Sequence, residues 1–183
     1  HVKQGAKPRE VAGTFMEATY IRRRGGYYYL FGSTGTCCEG ARSTYRITIG
    51  RSKSLFGPYV DKTGLRLLDN HYNILLDKDD SVLGPGHNAG LITDDAGNDY
   101  MLYHGFKASD PDAGRVVWLS RIVWADGWPS MMMEKDSQKN ETVPVIKSDN
   151  RSVATRSGLY PNDFEANIEG KRTHLYTLSN SKG

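Results

Sequence analysis

The fold is decided by one stretch near the start of the chain, Thr19-Tyr-Ile-Arg-Arg-Arg24, Gly25-Gly26 and Tyr27-Tyr-Tyr-Leu-Phe-Gly-Ser33. Two runs rich in β-branched and aromatic residues, joined by a glycine pair, are typical of a β-hairpin. Glycine suits that junction because it adopts the positive φ of a tight hairpin turn without strain. Further along, Tyr45-Arg-Ile-Thr-Ile-Gly-Arg51 alternates strictly between apolar and polar residues, which predicts a half-buried strand.

A second hairpin is predicted from Gly90-Leu-Ile-Thr93 and Tyr100-Met-Leu-Tyr-His104, separated by the turn Asp94-Asp-Ala-Gly-Asn98. The apolar run from Arg115 to Trp124 is long for one strand, so we expect a strand, a bend and a second strand there. Asp126-Gly127 then marks its end.

The two hairpins repeat one another. Glu17-Ala-Thr-Tyr-Ile21 aligns with Asn88-Ala-Gly-Leu-Ile92, and the two segments start 71 residues apart. Each copy contains a hairpin and further strand material, about four short strands, which is typical of a propeller blade. The alternative is two unrelated hairpins that share alanine and isoleucine by chance.

Composition limits the class of protein. The chain has 183 residues, of which 38% are hydrophobic and 25% charged, so it can form a packed core. It lacks a run of about 18 apolar residues, and we expect no membrane partner. Its net charge is only +3 and the two signs are interleaved, so we expect no nucleic-acid partner either.

Phosphate-loop and zinc-ligand motifs are missing from the sequence. The two cysteines, Cys37 and Cys38, are adjacent and cannot form a disulfide framework. We interpret them as two small, semi-buried thiols, with redox chemistry as the alternative.

Three places can carry chemistry. Glu17 begins the first hairpin, where a buried carboxyl would hold its proton; the alternative is a solvated carboxylate. His87, in Gly84-Pro-Gly-His-Asn88, occupies the matching position of the second repeat, although a single histidine is more often structural. The loop from Gly35 to Tyr45 combines hydroxyl and amide groups with a neighbouring aromatic strand, a mixture that suits sugar binding.

Taken together, these residues resemble the arabinanase branch of glycoside hydrolase family 43. The resemblance covers about residues 10 to 130, and its motifs occur in family order. They are Glu17-Ala-Thr-Tyr-Ile21, Gly25-Gly-Tyr-Tyr-Tyr-Leu-Phe31, Cys37-Cys38 with Ser43-Thr-Tyr45, Gly57-Pro-Tyr-Val60, Gly86-His-Asn88, Tyr103-His104 and Asp126-Gly-Trp-Pro129.

The resemblance implies an all-β fold, a five-bladed β-propeller that cleaves α-1,5-linked arabinan with inversion. Glu17 then corresponds to the general acid, and His87 to a histidine that helps to hold a metal ion, usually calcium, partly through water. The residues that correspond to the arabinose-binding loop are Thr36, Cys37, Cys38, Ser43, Thr44 and Tyr45. A related arabinofuranosidase or xylosidase of the same family is an alternative, and a non-catalytic carbohydrate-binding segment is another.

The family's general base and its second aspartate have no counterpart here. Asp61, Asp69, Asp77, Asp94 and Asp95 fall in turns or between blades, and we expect all five to be solvated. Five blades of about 71 residues need roughly 355 residues, so this chain supplies about two. We therefore expect upstream blades, or self-association, to complete the fold.

Residues 1–133 thus form the predicted later blades, and residues 134–157 form a polar linker. Residues 158–183 weakly resemble the start of an aldose 1-epimerase (galactose mutarotase) domain, opening with a short hairpin. A polysaccharide substrate favours an extracellular or periplasmic location.

Overall fold

A computed structural model describes residues 4–132 and the strand Thr173–Leu175. The predicted linker, residues 134–157, lies outside the described residues, as does the predicted mutarotase-like segment, residues 158–183, apart from that strand. The chain divides into two compact units. The first unit combines His1–Gly90 with Tyr103–Val116, and the second combines Leu91–Leu102 with Val117–Gly183.

The first sheet has four antiparallel strands in the order of the chain, β1-β2-β3-β4. The turn between β1 and β2 consists of Gly25 and Gly26, whose φ angles are 52° and 80°, so the predicted hairpin is confirmed. The strands are β1 (Glu17–Arg24), β2 (Tyr27–Thr34), β3 (Arg46–Ser52) and β4 (Asn73–Leu76).

Strand β3 is buried on both faces, so the prediction of a half-buried strand is wrong. Ile47 and Ile49 are buried on one face as expected, but Thr48 and Gly50 on the other face are buried too. A short 3-10 helix, Leu67–Asp69, covers this second face and packs Leu67 against Gly50. Polar and small residues therefore occupy buried positions that the sequence pattern assigns to solvent.

The second sheet has six strands, in the order β10-β8-β7-β5, with β6 paired to β7 and β9 paired to β8. Pairing of Ile92 with Tyr100 confirms the second predicted hairpin. The strands are β5 (Val82–Gly86), β6 (Ile92–Thr93), β7 (Asp99–Lys107), β8 (Asp110–Ala125), β9 (Trp128–Met131) and β10 (Thr173–Leu175).

Strand β8 is a single strand of 16 residues, so the predicted strand, bend and strand is wrong. Different partners pair with successive parts of it: β10 pairs with Val117–Leu119, and β9 pairs with Ile122–Ala125. Because backbone hydrogen bonds continue along its length, the strand stays extended. The pattern of apolar residues does not reveal such a succession of partners.

Two of the five aspartates that were expected to be solvated are buried. Asp61 is 8% exposed, and its Oδ1 accepts hydrogen bonds from the backbone N–H groups of Thr63 and Leu65 and from the Thr63 hydroxyl. Burial raises the pKa of Asp61, but these hydrogen bonds outweigh burial and hold the pKa below its ordinary value. Asp94 is 6% exposed and accepts hydrogen bonds from its own turn in the same way.

The other three of these aspartates are at least partly exposed. Asp69 forms an exposed ion pair with Arg66, Asp77 pairs with Arg46, and Asp95 is exposed in the turn before β7. In the described part of the chain, no helix is long and apolar enough to cross a bilayer. The prediction of an all-β fold built from blade-like antiparallel sheets is confirmed.

Candidate active site

Glu17 lies at the first position of β1, where a bulge changes the strand register. The turn at Gly25-Gly26 sets pairs such as Ile21 with Leu30, but Glu17 pairs with Ser33 because the bulge inserts one residue between Glu17 and Tyr20. Ala18 within it has a φ of 52°. Bulges re-aim side chains at the ends of strands. The Glu17 side chain is exposed, which agrees with the solvated carboxylate and not with the buried one of the two alternatives.

Tyr45 directly contacts Glu17, although 28 residues separate them. Its phenolic O–H donates a hydrogen bond of 2.7 Å to Oε1 of Glu17, and the residue is only 1% exposed. Burial and the bond to Glu17 raise the pKa of Tyr45 to about 12. Tyr45 therefore remains a protonated donor at neutral pH.

Two histidines lie behind the tyrosine. The His104 ring stacks on Tyr45, with ring centroids 5.9 Å apart and an interplanar angle of 14°, and the His87 ring lies 5.9 Å from His104. Burial, the Arg115 guanidinium and His87 lower the pKa of His104 to about 4, so its imidazole is neutral at pH 7. His87 is exposed, and its backbone N–H donates to the Ser33 hydroxyl over 2.8 Å.

The loop between β2 and β3 is held by its own side chains. The hydroxyls of Thr36 and Thr44 lie 3.0 Å apart, and the backbone N–H of Glu39 donates to the buried hydroxyl of Ser43. Thr36 and Thr44 are exposed. Among the residues predicted to bind sugar, the loop thus presents two hydroxyl groups to solvent, whereas Ser43 and Tyr45 are buried.

Cys37 and Cys38 are joined by a disulfide, so the prediction of two thiols is wrong. Cys37 is half-buried and Cys38 is exposed. The guanidinium of Arg115, on β8, reaches this disulfide, with Nη2 3.7 Å from Sγ of Cys38.

The structure thus brings the predicted acid, the predicted sugar-binding loop and His87 together around Ser33. Sequence reasoning did not select Ser33, His104 or Arg115 as site residues. Ser33 could be reached by counting register from the glycine turn, but only if the bulge is known. The sequence around Arg115 does not mark it as a site residue, because its place beside the loop depends on how β8 pairs within the sheet.

A metal centre is not complete within residues 4–132 and 173–175, where no group of three or more His, Cys, Asp or Glu side chains could hold an ion. The neighbouring imidazoles of His87 and His104 offer nitrogen, whereas calcium prefers oxygen ligands. These residues do not by themselves fit a calcium site.

Comparison with known proteins decides the family. The model of the family described as glycosyl hydrolases family 43 matches residues 1–129, most of the chain. The chain belongs to glycosyl hydrolase family 43. Glu17, Tyr45 and His87 all lie in the matched part of this family 43 chain.

Two similar relatives are extracellular enzymes by name. The extracellular exo-α-(1→5)-L-arabinofuranosidase ArbA of Cellvibrio japonicus is 38% identical over 116 residues, which is 63% of this chain and 33% of the relative. The extracellular endo-α-(1→5)-L-arabinanase 1 of Bacillus subtilis is 36% identical, over 64% of this chain and 35% of the relative. The family 43 chain therefore spans about a third of the length of these relatives.

Solved structures agree in fold. The α-L-arabinanase of Cellvibrio cellulosa complexed with arabinohexaose superposes with a TM-score of 0.60 at 35% identity, over 72% of this chain and 40% of that chain. The family 43 endo-arabinanase of Bacillus licheniformis gives a TM-score of 0.60 at 34% identity, over 67% of this chain and 42% of that chain. The sheets of the family 43 chain are blades of the five-bladed propeller that these arabinanases share.

Proposed function

We propose that the protein carrying this chain hydrolyses α-1,5-linked L-arabinan with inversion, and that Glu17 is its general acid. The observation that carries the proposal is the placement of one exposed carboxyl at a strand bulge, held by Tyr45 and bordered by the loop with exposed hydroxyls. Family membership and the arabinan-cleaving relatives support the substrate class. Both exo- and endo-acting enzymes occur among these relatives, so we propose the linkage that is cleaved and not the position of cleavage along the polysaccharide.

In this mechanism Glu17 gives its proton to the glycosidic oxygen as the bond to the anomeric carbon breaks. A carboxylate on the opposite side of the sugar takes a proton from the attacking water, and the two carboxyl groups must lie about 6.5–9.5 Å apart to admit it. The carboxylates of Asp61 and Asp94 accept hydrogen bonds within their own turns, and those of Asp69 and Asp77 form ion pairs. We propose that the general base belongs to another part of the complete protein, because the family's base aspartate has no counterpart in this sequence.

The test is Glu17→Gln in the full-length protein, assayed on linear arabinan. Loss of general acid catalysis is expected to lower kcat by about 10²–10⁴-fold. Glu10→Gln, which changes an exposed carboxylate outside the predicted sugar-binding loop, is the matched control and should leave kcat unchanged. Proton NMR of freshly released product, which shows β-anomers first if configuration inverts, tests the stereochemistry. Unchanged arabinan hydrolysis by Glu17→Gln would refute the assignment.

We also propose that His87 lies beside a hydrated cation, such as calcium, in the complete protein. The His87 side chain is exposed at the site, so it is free to face an ion or the water molecules around it. The described residues supply imidazole nitrogen, so the remaining oxygen ligands would come from water and other parts of the protein. No step of the hydrolysis is assigned to this ion.

The rest of the propeller, or a second copy of the chain, is the partner we propose for the exposed apolar residues of the first unit. Phe15 is 66% exposed and Phe56 is 58% exposed, values that favour contact with further protein. An extracellular location is proposed from the two extracellular relatives.

A further inference from the structure

Tyr45 lies in the loop that was predicted to bind sugar, yet its ring is almost completely buried. A ring with 1% of its surface exposed has no free face for a sugar, whereas its hydroxyl contacts Oε1 of Glu17 at 2.7 Å. We propose that Tyr45 is the positioning residue of the general acid: its O–H fixes Oε1 of Glu17, so that Oε2 carries the proton to the glycosidic oxygen. This inference rests on the function proposed above.

The tyrosine ring is locked in place, which a positioning residue requires. Its ring stacks on His104, and on another side it lies against the backbone of Gly86, where even a methyl group would overlap the ring. Ser33 contacts its hydroxyl. Groups from β5 and β7 hold the ring, and Ser33 of β2 contacts its hydroxyl, so the phenolic oxygen stays within hydrogen-bond distance of Glu17.

The identity of the bonded oxygen matters for proton transfer. The proton moves from Oε2 of Glu17 to the leaving oxygen, and the electron pair of the broken C–O bond stays on that oxygen. Water supplies the new bond to the anomeric carbon and gives its proton to the general base. Glu17 ends as a carboxylate, and its negative charge strengthens the bond from Tyr45, because hydrogen bonds to charged groups are the stronger ones.

The pKa of Tyr45, raised to about 12, agrees with this role, because the phenol keeps its proton throughout. A donor that strengthens its bond as charge develops stabilises the transition state more than the ground state. The contribution of the Tyr45 hydrogen bond to kcat should therefore depend on how strongly the leaving group requires protonation. A sugar leaving group needs protonation, whereas dinitrophenolate leaves without it.

The experiment compares two substrates in the full-length protein: linear arabinan and the 2,4-dinitrophenyl glycoside of α-1,5-arabinotriose. Tyr45→Phe should lower kcat on arabinan about 10–100-fold and change the aryl substrate by less than about threefold. Tyr59→Phe is the matched control, since Tyr59 is also 1% exposed and its hydroxyl donates to the Leu55 carbonyl at 2.9 Å, outside the site. It should affect both substrates equally.

Glu17→Gln, measured in parallel, separates the two proposals. Selective loss on arabinan in both Glu17→Gln and Tyr45→Phe supports the positioning role. Selective loss in Glu17→Gln alone, with equal or no loss in Tyr45→Phe, overturns the role of Tyr45 and leaves the proposed function intact. No selective loss in Glu17→Gln overturns the proposed function, and the positioning role with it.

Thermal unfolding of each variant establishes that it is folded. If Tyr45→Phe does not fold, Ser33→Ala provides the second test, because it removes the hydroxyl beside the Tyr45 O–H and keeps the ring. Ser33→Ala should lower kcat on arabinan more than kcat on the aryl substrate, with a smaller loss than in Tyr45→Phe. If Ser33→Ala changes kcat on the two substrates by the same factor, the proposal is contradicted.

Discussion

Gly86 is the position at which the smallest substitution should have the largest effect on the site. A Cβ atom at Gly86 would lie 2.0 Å from Cδ1 and 2.1 Å from Cε1 of Tyr45, far inside any carbon–carbon contact distance. The overlapping atoms belong to a rigid aromatic ring, so a small rotation at the end of a side chain cannot relieve the overlap. In Gly86→Ala the ring must therefore move by about 1.5 Å to restore an ordinary contact.

Two costs follow from that movement. Overpacking a buried position costs about 1–3 kcal/mol. The bond from Tyr45 to the Glu17 carboxylate, 2.7 Å long, is lost when the ring moves, and a hydrogen bond to a charged group contributes about 1.5–3 kcal/mol. Since Glu17 is exposed, the lower end applies to this bond. Together the two costs lead us to expect that Gly86→Ala lowers the free energy of unfolding by about 2.5–4.5 kcal/mol.

The assay is urea unfolding of the full-length protein followed by intrinsic fluorescence, together with kcat on arabinan. Gly90→Ala is the matched control: the nearest atom to its Cβ is Cε2 of Tyr20 at 3.3 Å, and the position is exposed. Replacing glycine by alanine also reduces the entropy of the unfolded chain, but this contribution is similar in both variants and cancels. Equal unfolding free energies for Gly86→Ala and Gly90→Ala would refute the packing argument, and an unchanged kcat would refute its link to Glu17.

Two further predictions concern pH and metal. Because hydrogen bonds hold the pKa of Asp61 below its ordinary value, this carboxylate stabilises the fold above the unfolded pKa of about 3.9, and the contribution is lost as the pH falls through the lowered folded value. Asp61→Asn should therefore destabilise the protein by about 1 kcal/mol at pH 7 and less at acid pH, and a pH-independent difference in urea unfolding would contradict this. If a cation lies at His87, chelation by EDTA should lower the melting temperature of the wild type by about 2–4 °C and that of His87→Ala by less, whereas equal shifts would argue against the site.

Short-range patterns in the sequence were sufficient for the hairpins and the family. The glycine pair at Gly25-Gly26 sets the turn, and the structure has the flanking strands within two residues of the predicted ends. The repeat from Glu17 to Asn88 and the ordered motifs identified family 43, which the match to residues 1–129 confirms. These properties are local or periodic, so one sequence contains them.

Solvation was predicted less well, because burial depends on what covers a position from elsewhere in the chain. Asp61 and Asp94 have the polar turn neighbours of solvated residues, yet the fold encloses both. Thr48 lies where the alternating pattern predicts solvent, but the chain around Leu67 covers that face of the sheet.

The sequence by itself was sufficient for the β-hairpins and the family, and it predicted the repeat and Glu17 as the candidate acid. Only the tertiary structure decided which groups surround that acid: Tyr45 from the strand-connecting loop, Ser33 by way of a bulge, and His104 and Arg115 from the second sheet. The physical reason is that a strand register follows from its turn, whereas contacts between side chains far apart in sequence depend on bulges, strand partners and the close approach that Gly86 permits.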